Sequence, residues 1–227
     1  MKAIDRSAVE DYCRDDWVLA RLDSASRASD ETLTSQRWLR DSPGKRAVFA
    51  ALYGDLFSSR GLRVLDIGGG VTAFTRILGG RHDYTLVDLM AHECRASPAV
   101  ASATEGCSVA TVDWATWPAK QTFDVIVAND LFPNVDQRLE LFVRTMLPRC
   151  GHLRLSLTYY LDGRWYVTSR VDADEIMTIV AWDGRRTADA LRPYLDRVEQ
   201  ADLALLQHPM ESAWKNGRQV CVVRLNG

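Results

Sequence analysis

The sequence predicts an α/β fold built on a mainly parallel sheet. Three observations carry that expectation. From residue 62 onward, short apolar runs alternate with segments of helical spacing, the pattern of βαβ units. The first run ends in Gly68-Gly69-Gly70, and helical spacing resumes at once through Phe74, Ile77 and Leu78. Acidic residues then recur at the ends of later runs, as Asp88, Asp113 and Asp130, where a parallel sheet gathers its ligand-facing loops.

Residues 4–60 read as helical. Apolar residues recur at three and four over 8–22 and 46–57. A further helix is expected to start at Asp30, and Ser42-Pro43-Gly44 reads as a loop. Buried strands are expected over 62–67, 84–88, 109–113, 123–128 and 152–158, with an amphipathic helix over 138–147 stopped by Pro148. Beyond these, 165–171 reads as an extra strand or hairpin arm and 187–195 as a helix. Residues 203–207 and 219–225 read as two final strands. The sum is a Rossmann-like, mainly parallel seven-stranded sheet flanked by helices, with a helical N-terminal lid. Residues 1–60 form the cap and 61–227 the α/β core, as one compact unit.

Several classes are disfavoured by composition. A chain of 227 residues supports one sizeable core but not two comfortable domains. Its net charge of -2 lacks the basic excess of a nucleic-acid binder, so no nucleic-acid partner is expected. No stretch approaches the ~20 apolar residues of a membrane span, and the first six residues lack the apolar run of a signal peptide, so a cytoplasmic location is expected. Cys13, Cys94, Cys107, Cys150 and Cys221 are scattered without C-x-x-C spacing, which argues against disulfides and a zinc site. His92-Glu93-Cys94 are adjacent and cannot face one point, so no metal is expected there.

The glycine run supplies the first chemistry. Glycines accept backbone angles that other residues resist and let a ligand approach the main chain, and the following helix start offers N–H groups. Gly68 to Ala73 also fits the dinucleotide fingerprint G-x-G-x-x-A. Asp88, 20 residues after Gly68, suits a carboxylate that accepts both ribose hydroxyls. Two readings compete at this point: a nicotinamide or flavin enzyme, and a nucleoside-sulfonium enzyme. Asp66, two residues before the glycines, would repel a pyrophosphate but would anchor the loop beside a cationic methionyl group. Asp113-Trp114 offers an acceptor for an adenine amino group and an apolar slab for its ring.

Over roughly residues 62–160 the chain resembles the class I S-adenosylmethionine-dependent methyltransferases. Val64-Leu65-Asp66-Ile67-Gly68-Gly69-Gly70 looks like their first motif. Asp88, with Leu89 beside it, corresponds to their ribose-binding acid and Asp113 to their adenine-facing acid. The stretch 123–132 looks like their fourth-strand motif and 147–153 like their turn into strand 5. Where the family often has a third glycine this chain has Thr72, whose hydroxyl is expected to donate to the ligand. The resemblance implies S-adenosylmethionine as cofactor, S-adenosylhomocysteine as product and no metal. It speaks for the cofactor and not for the acceptor.

Methyl transfer from a sulfonium is a direct displacement that needs mainly alignment, and a base only where the acceptor must lose a proton. The segment 129–136 is the richest candidate. Asn129 and Asp130 are placed to contact the methionyl part or the acceptor, and Asn134 lies close behind; the alternative is that Asn129-Asp130 caps a helix. Asn129-x-x-Phe132 is faintly similar to the Asn-Pro-Pro-Tyr motif of amino methyltransferases, but both prolines are missing, so no amine acceptor is inferred. Tyr159 and Tyr160 are expected to line the acceptor pocket, with Trp165 and Tyr166 extending the wall. Tyr12, Trp17, Arg37 and Trp38 are expected to form a lid, where aromatic faces favour a sulfonium. His92 is a base candidate near physiological pH, against a plain surface role. Asp172, Asp174 and Glu175 read as a solvated face or helix start.

The expected activity is therefore methyl transfer to a small-molecule acceptor, natural-product or amino-acid-like, by a monomer or homodimer. The alternatives are a same-fold enzyme that consumes S-adenosylmethionine by intramolecular alkylation and releases methylthioadenosine, a non-catalytic S-adenosylmethionine binder, and a nicotinamide enzyme.

Overall fold

The structure is a computed structural model that describes residues 1–118, 121–169 and 176–227. The chain opens with a two-residue strand, β1 (Lys2–Ala3). Four helices follow: α1 (Arg6–Cys13), α2 (Trp17–Ala25), α3 (Thr34–Asp41) and α4 (Pro43–Tyr53). The single helix expected over 8–22 is broken in two at residues 14–16. Asp16 is the cause. Its carboxylate accepts the Leu19 N–H at 3.1 Å as the N-cap of α2, and it also takes the Tyr12 hydroxyl at 2.7 Å and the Arg46 Nε at 2.9 Å. Ser42-Pro43-Gly44 is no loop. Ser42 caps α4 by accepting the Lys45 N–H at 3.2 Å, and Pro43 takes the first helical position, which needs no N–H.

The core runs through β2 (Arg63–Ile67), α5 (Ala73–Gly79), β3 (Asp83–Val87), α6 (Pro98–Ala103) and β4 (Ser108–Ala110). It continues with β5 (Phe123–Phe132), α7 (Leu139–Met146), β6 (Cys150–Tyr159), the strands β7 (Trp165–Ser169) and β8 (Ile176–Val180), α8 (Gly184–Leu191) and β9 (Gln219–Asn226). The sheet order is β1-β9-β6-β5-β2-β3-β4. Strands β6, β5, β2, β3 and β4 are parallel, whereas β9 is antiparallel to both β6 and β1. The fold class is thus the expected α/β one, with seven strands.

Three strands differ from expectation. The buried strand expected over 109–113 is the short edge strand β4, with Val109 and Val112 exposed. Residues Leu203–Leu206 form a 3-10 turn, because Asp202 accepts the Leu205 N–H and Leu206 is buried in the core. The seventh strand is instead β1, from the start of the 1–60 segment expected to form the cap. Among the described residues, strands β7 and β8 pair only with each other, in antiparallel fashion.

Both faces of the parallel sheet are covered at its centre, so the middle strands are mostly apolar and their side chains alternate between two cores. Val64, Val125 and Val127 pack with Leu22, Leu52 and Phe74 on the side of α1–α6. Leu65, Ile126 and Ala128 pack with Phe142 and Leu191 on the side of α7 and α8. Among the described residues no helix is long and apolar enough to cross a membrane.

Asp16 makes a stability test. Arg46 is buried, and Asp16 is its only carboxylate partner among the described residues. Asp16→Ala is expected to cost about 3 kcal/mol in urea unfolding, because it strands a buried charge. The control Asp11→Ala breaks an exposed pair with Arg14 and is expected to cost well under ~1 kcal/mol.

Candidate functional site

Strand β2 ends at the switch point of the sheet, with β3 on one side and β5 on the other, so its loop opens into the crevice between them. Gly68 and Gly70 have φ of +69° and +72°, which favours glycine. Gly69 and Gly70 are further constrained by space. A Cβ on Gly69 would overlap the Asp66 carboxylate, and one on Gly70 would lie 2.8 Å from the Ser35 Cβ.

Asp66 sits beneath this loop, 3% exposed. It accepts the Tyr53 hydroxyl at 3.0 Å and also the Tyr84 hydroxyl. Burial pushes its carboxyl up to about 7, against the pull of the two hydroxyls, with the Asp88 charge adding to the rise. Asp88 ties the loop to the end of β3, accepting the Gly70 N–H at 2.9 Å and the Met90 N–H at 2.6 Å.

The start of α5 is not open to a ligand. The Thr72 hydroxyl accepts the Phe74 N–H at 3.2 Å, and the Gln36 side chain from α3 takes the Ala73 N–H at 2.8 Å. The Glu93 carboxylate in turn accepts the Thr34 and Ser35 N–H groups of α3, at 3.1 and 2.8 Å. The helical segment, the glycine loop and the loop after β3 are therefore held as one hydrogen-bonded unit.

Above the loop lies a cavity of about 860 Å³. Gly68, Gly70 and Thr72 line it from the loop. Asp88, Leu89 and His92 line it after β3, Asp113 and Trp114 after β4, and Asn129, Asp130 and Asn134 at the β5 end. Eleven sequence candidates are thus brought to one space.

Four are not. Asp66 is under the loop and does not line the cavity. Tyr12 turns its hydroxyl to Asp16, on the far side of the helical segment. Tyr159 is 0% exposed, and its hydroxyl is buried without a partner among the described residues. Ser156 and Thr158 line the cavity, so the two-residue period of β6 points Tyr159 to the opposite face, toward α8. Tyr160 also lies off the cavity, where its hydroxyl accepts from Asn216 at 3.4 Å. Of the expected lid and wall, Trp38 and Tyr166 line the cavity, whereas Trp17, Arg37 and Trp165 do not. Asp172, Asp174 and Glu175 fall outside the described residues.

On the β4 side, Arg138 binds Asp113 at 2.8 Å and Asp136 at 2.6 Å. Trp114 donates its indole N–H to Asp136 at 2.7 Å, and the Arg138 guanidinium lies 4.9 Å from the Trp114 ring centre. Trp114 is 5% exposed and packs edge-on against Phe132 and Phe142, so much of the expected slab is core.

On the β5 side, Asn129 and Asp130 lie within the strand and cap no helix. The Asp130 backbone is left-handed, with φ of +53°, and its N–H donates to the Ser156 hydroxyl at 2.6 Å. That hydroxyl donates to Asn129 at 2.9 Å. The Asp130 carboxylate takes Lys45 at 2.7 Å, Arg218 at 3.3 Å and the Thr158 hydroxyl at 3.3 Å. Burial pushes this carboxyl up, but the charges of Lys45 and Arg218 outweigh it and hold it below its ordinary value. Nearby, Tyr166 donates its hydroxyl to Asn134, and His92 meets Trp38 edge-on with ring centres 4.7 Å apart.

Sequence reading missed Gln36, Lys45, Arg138, Trp214 and Arg218. Arg138 had a local signal, since it follows the 129–136 segment directly. The others reach the site from α3, α4 and the approach to β9, and carry no motif.

No protein-family model matches the chain, and no curated protein sequence matches it. Solved structures do match. A DhpI complex with SAH (S-adenosylhomocysteine) aligns with a TM-score of 0.51 at 16% identity, covering 97% of each chain. The N-terminal domain of EvdMO1, in the presence of SAH and D-fucose, aligns with a TM-score of 0.52 at 12% identity, covering 81% of this chain and 82% of that one. The likeness is one of fold, and the chain has the class I S-adenosylmethionine-dependent methyltransferase fold.

Proposed function

We propose that the chain binds S-adenosylmethionine in this cavity and transfers its methyl group to a small-molecule acceptor. One observation carries the reading. A single space of about 860 Å³ joins the glycine loop and Asp88 to the polar cluster at the end of β5. The loop fits the cofactor: Gly68 and Gly70 hold left-handed backbone on the cavity wall, and a Cβ on Gly70 would close the space between the loop and Ser35. Asp88 spends one acceptor site of each oxygen on the main chain and keeps others for ribose hydroxyls. Asp88, Asp113 and Asp136 outnumber Arg138 on this side, which favours a cationic ligand.

Bound there, S-adenosylmethionine supplies a methyl group already activated by its sulfonium. The protein's part is to align the acceptor and exclude water, which is worth ~7–11 kcal/mol when geometry is good. Val48, Phe49 and Leu131 give the cavity its dry wall. Asp130 is a poor base, because Lys45 and Arg218 stabilise its charged form; its part is to position those cations. Where the acceptor must lose a proton, His92 is the group on the cavity wall suited to take it.

The test is mass spectrometry of the protein incubated with S-adenosylmethionine, with and without a small-molecule extract. S-adenosylhomocysteine formed only with extract supports methyl transfer. Methylthioadenosine formed from S-adenosylmethionine alone overturns it in favour of intramolecular alkylation. Tighter binding of a dinucleotide than of S-adenosylhomocysteine overturns the cofactor. Calorimetry adds a residue-level check: Asp88→Asn is expected to weaken S-adenosylhomocysteine about tenfold, the worth of one charge-assisted hydrogen bond.

A further inference from the structure

We propose that the β5 side of the cavity binds the carboxylate of an aromatic acid, held by Lys45 and Arg218 between the rings of Trp38 and Trp214. This names the acceptor class for the activity proposed above and rests on that reading. The cavity is divided in charge. On the β3 and β4 side, acids are in excess. On the β5 side, two cations face a single carboxylate, Asp130, leaving one positive charge over. The other acids near this end are committed elsewhere: Glu93 accepts the start of α3, and Asp88 accepts Gly70 and Met90.

Both cations retain donors. The Lys45 ammonium has three and gives one to Asp130. Arg218 is 11% exposed and gives only Nη1 to Asp130. Among the described residues its buried Nε has no partner, and neither has its Nη2. An unpaired buried donor on a guanidinium is costly, and the fork it belongs to matches a carboxylate.

The walls beside both cations are aromatic. Lys45 lies 5.5 Å from the Trp38 ring centre and Arg218 4.8 Å from that of Trp214. Trp214 reaches this position because residue 44 is glycine: a Cβ there would lie 2.9 Å from its ring. Tyr166 of β7 and Ile179 of β8 line the same space. A carboxylate on an aromatic ring meets both demands, whereas a phosphate or sugar meets only one.

The probe is benzoate, titrated by calorimetry into the protein saturated with S-adenosylhomocysteine, with benzyl alcohol as the neutral control. Saturable benzoate binding, at least about tenfold tighter than benzyl alcohol, is expected. Arg218→Gln and Lys45→Gln, on separate elements, are each expected to weaken benzoate about tenfold while S-adenosylhomocysteine affinity stays within about twofold. Arg218→Lys is expected to keep part of the binding. Equal affinity for benzoate and benzyl alcohol overturns the proposal, as does a loss of S-adenosylhomocysteine affinity matching the loss for benzoate. The latter assigns the cations to the cofactor's own carboxylate. If S-adenosylhomocysteine does not bind at all, the cofactor reading falls, and benzoate titrated into the free protein still decides this one.

Discussion

Gly70→Ala is expected to weaken S-adenosylhomocysteine binding about a hundredfold. Two costs add at this position. A φ of +72° places an L-residue in the left-handed region, at roughly 1–2 kcal/mol. The new Cβ would also meet the Ser35 side chain, with Cβ atoms 2.8 Å apart. Ser35 cannot step aside freely, because its N–H is bound to Glu93 and it sits in the first turn of α3. The loop must therefore shift, and the Gly70 N–H leaves Asp88. Strain and overpacking together reach about 3 kcal/mol, or about a hundredfold in affinity. Calorimetry reads the affinity, and a circular dichroism spectrum like that of the unmutated protein separates loss of binding from loss of fold. An affinity within about threefold of the unmutated protein would mean that the loop does not cradle the ligand.

Replacing Asp66 with asparagine is expected to change how stability responds to pH. The Asp66 carboxyl is pushed by burial from 3.8 to about 7 in the folded chain. Folding therefore favours the protonated form. That contribution is fully present below about pH 4 and is lost as pH rises to about 7, at a total cost on the order of 4 kcal/mol. Other carboxylates work in the opposite sense. Asp16, Asp55 and Asp136 are each pushed up by burial but brought below their ordinary values by arginine partners, so they lose stability as pH falls. A comparison with Asp66→Asn isolates the one group, since an amide does not titrate and still accepts a tyrosine hydroxyl. The stability of Asp66→Asn relative to the unmutated protein is expected to climb between about pH 4 and 7 and to level off above. Urea unfolding across that range is the measurement. A difference that stays constant would mean that Tyr53 and Tyr84 keep Asp66 charged throughout.

The legible part of this protein is local. A buried run ending in three glycines, with acids at the next strand ends, reports strand, turn and crevice within some sixty residues. Gly68, Asp88, Asp113 and Asp130 were readable because each need is met by a residue type at one place in one βαβ unit. The misreadings share a different cause. Tyr159 looked like a pocket residue because it follows a strand, but strand register decides facing, and register is not a local property. Asp16 broke a helix that periodicity had joined, because its partners Tyr12 and Arg46 come from two other helices.

The sequence alone determined the α/β class, the glycine loop and the row of acids at strand ends, because these follow from nearest neighbours along the chain: apolar runs, backbone freedom and the place where each run ends. Only the tertiary structure decided that Lys2–Ala3 closes the sheet as β1, that Gln36 and Glu93 lock the helical segment onto the loop, and that Lys45 and Arg218 meet on Asp130. Those pairings lie 85 and 88 residues apart. Each is a choice among many equally charged or equally apolar residues, and packing, not pattern, makes that choice.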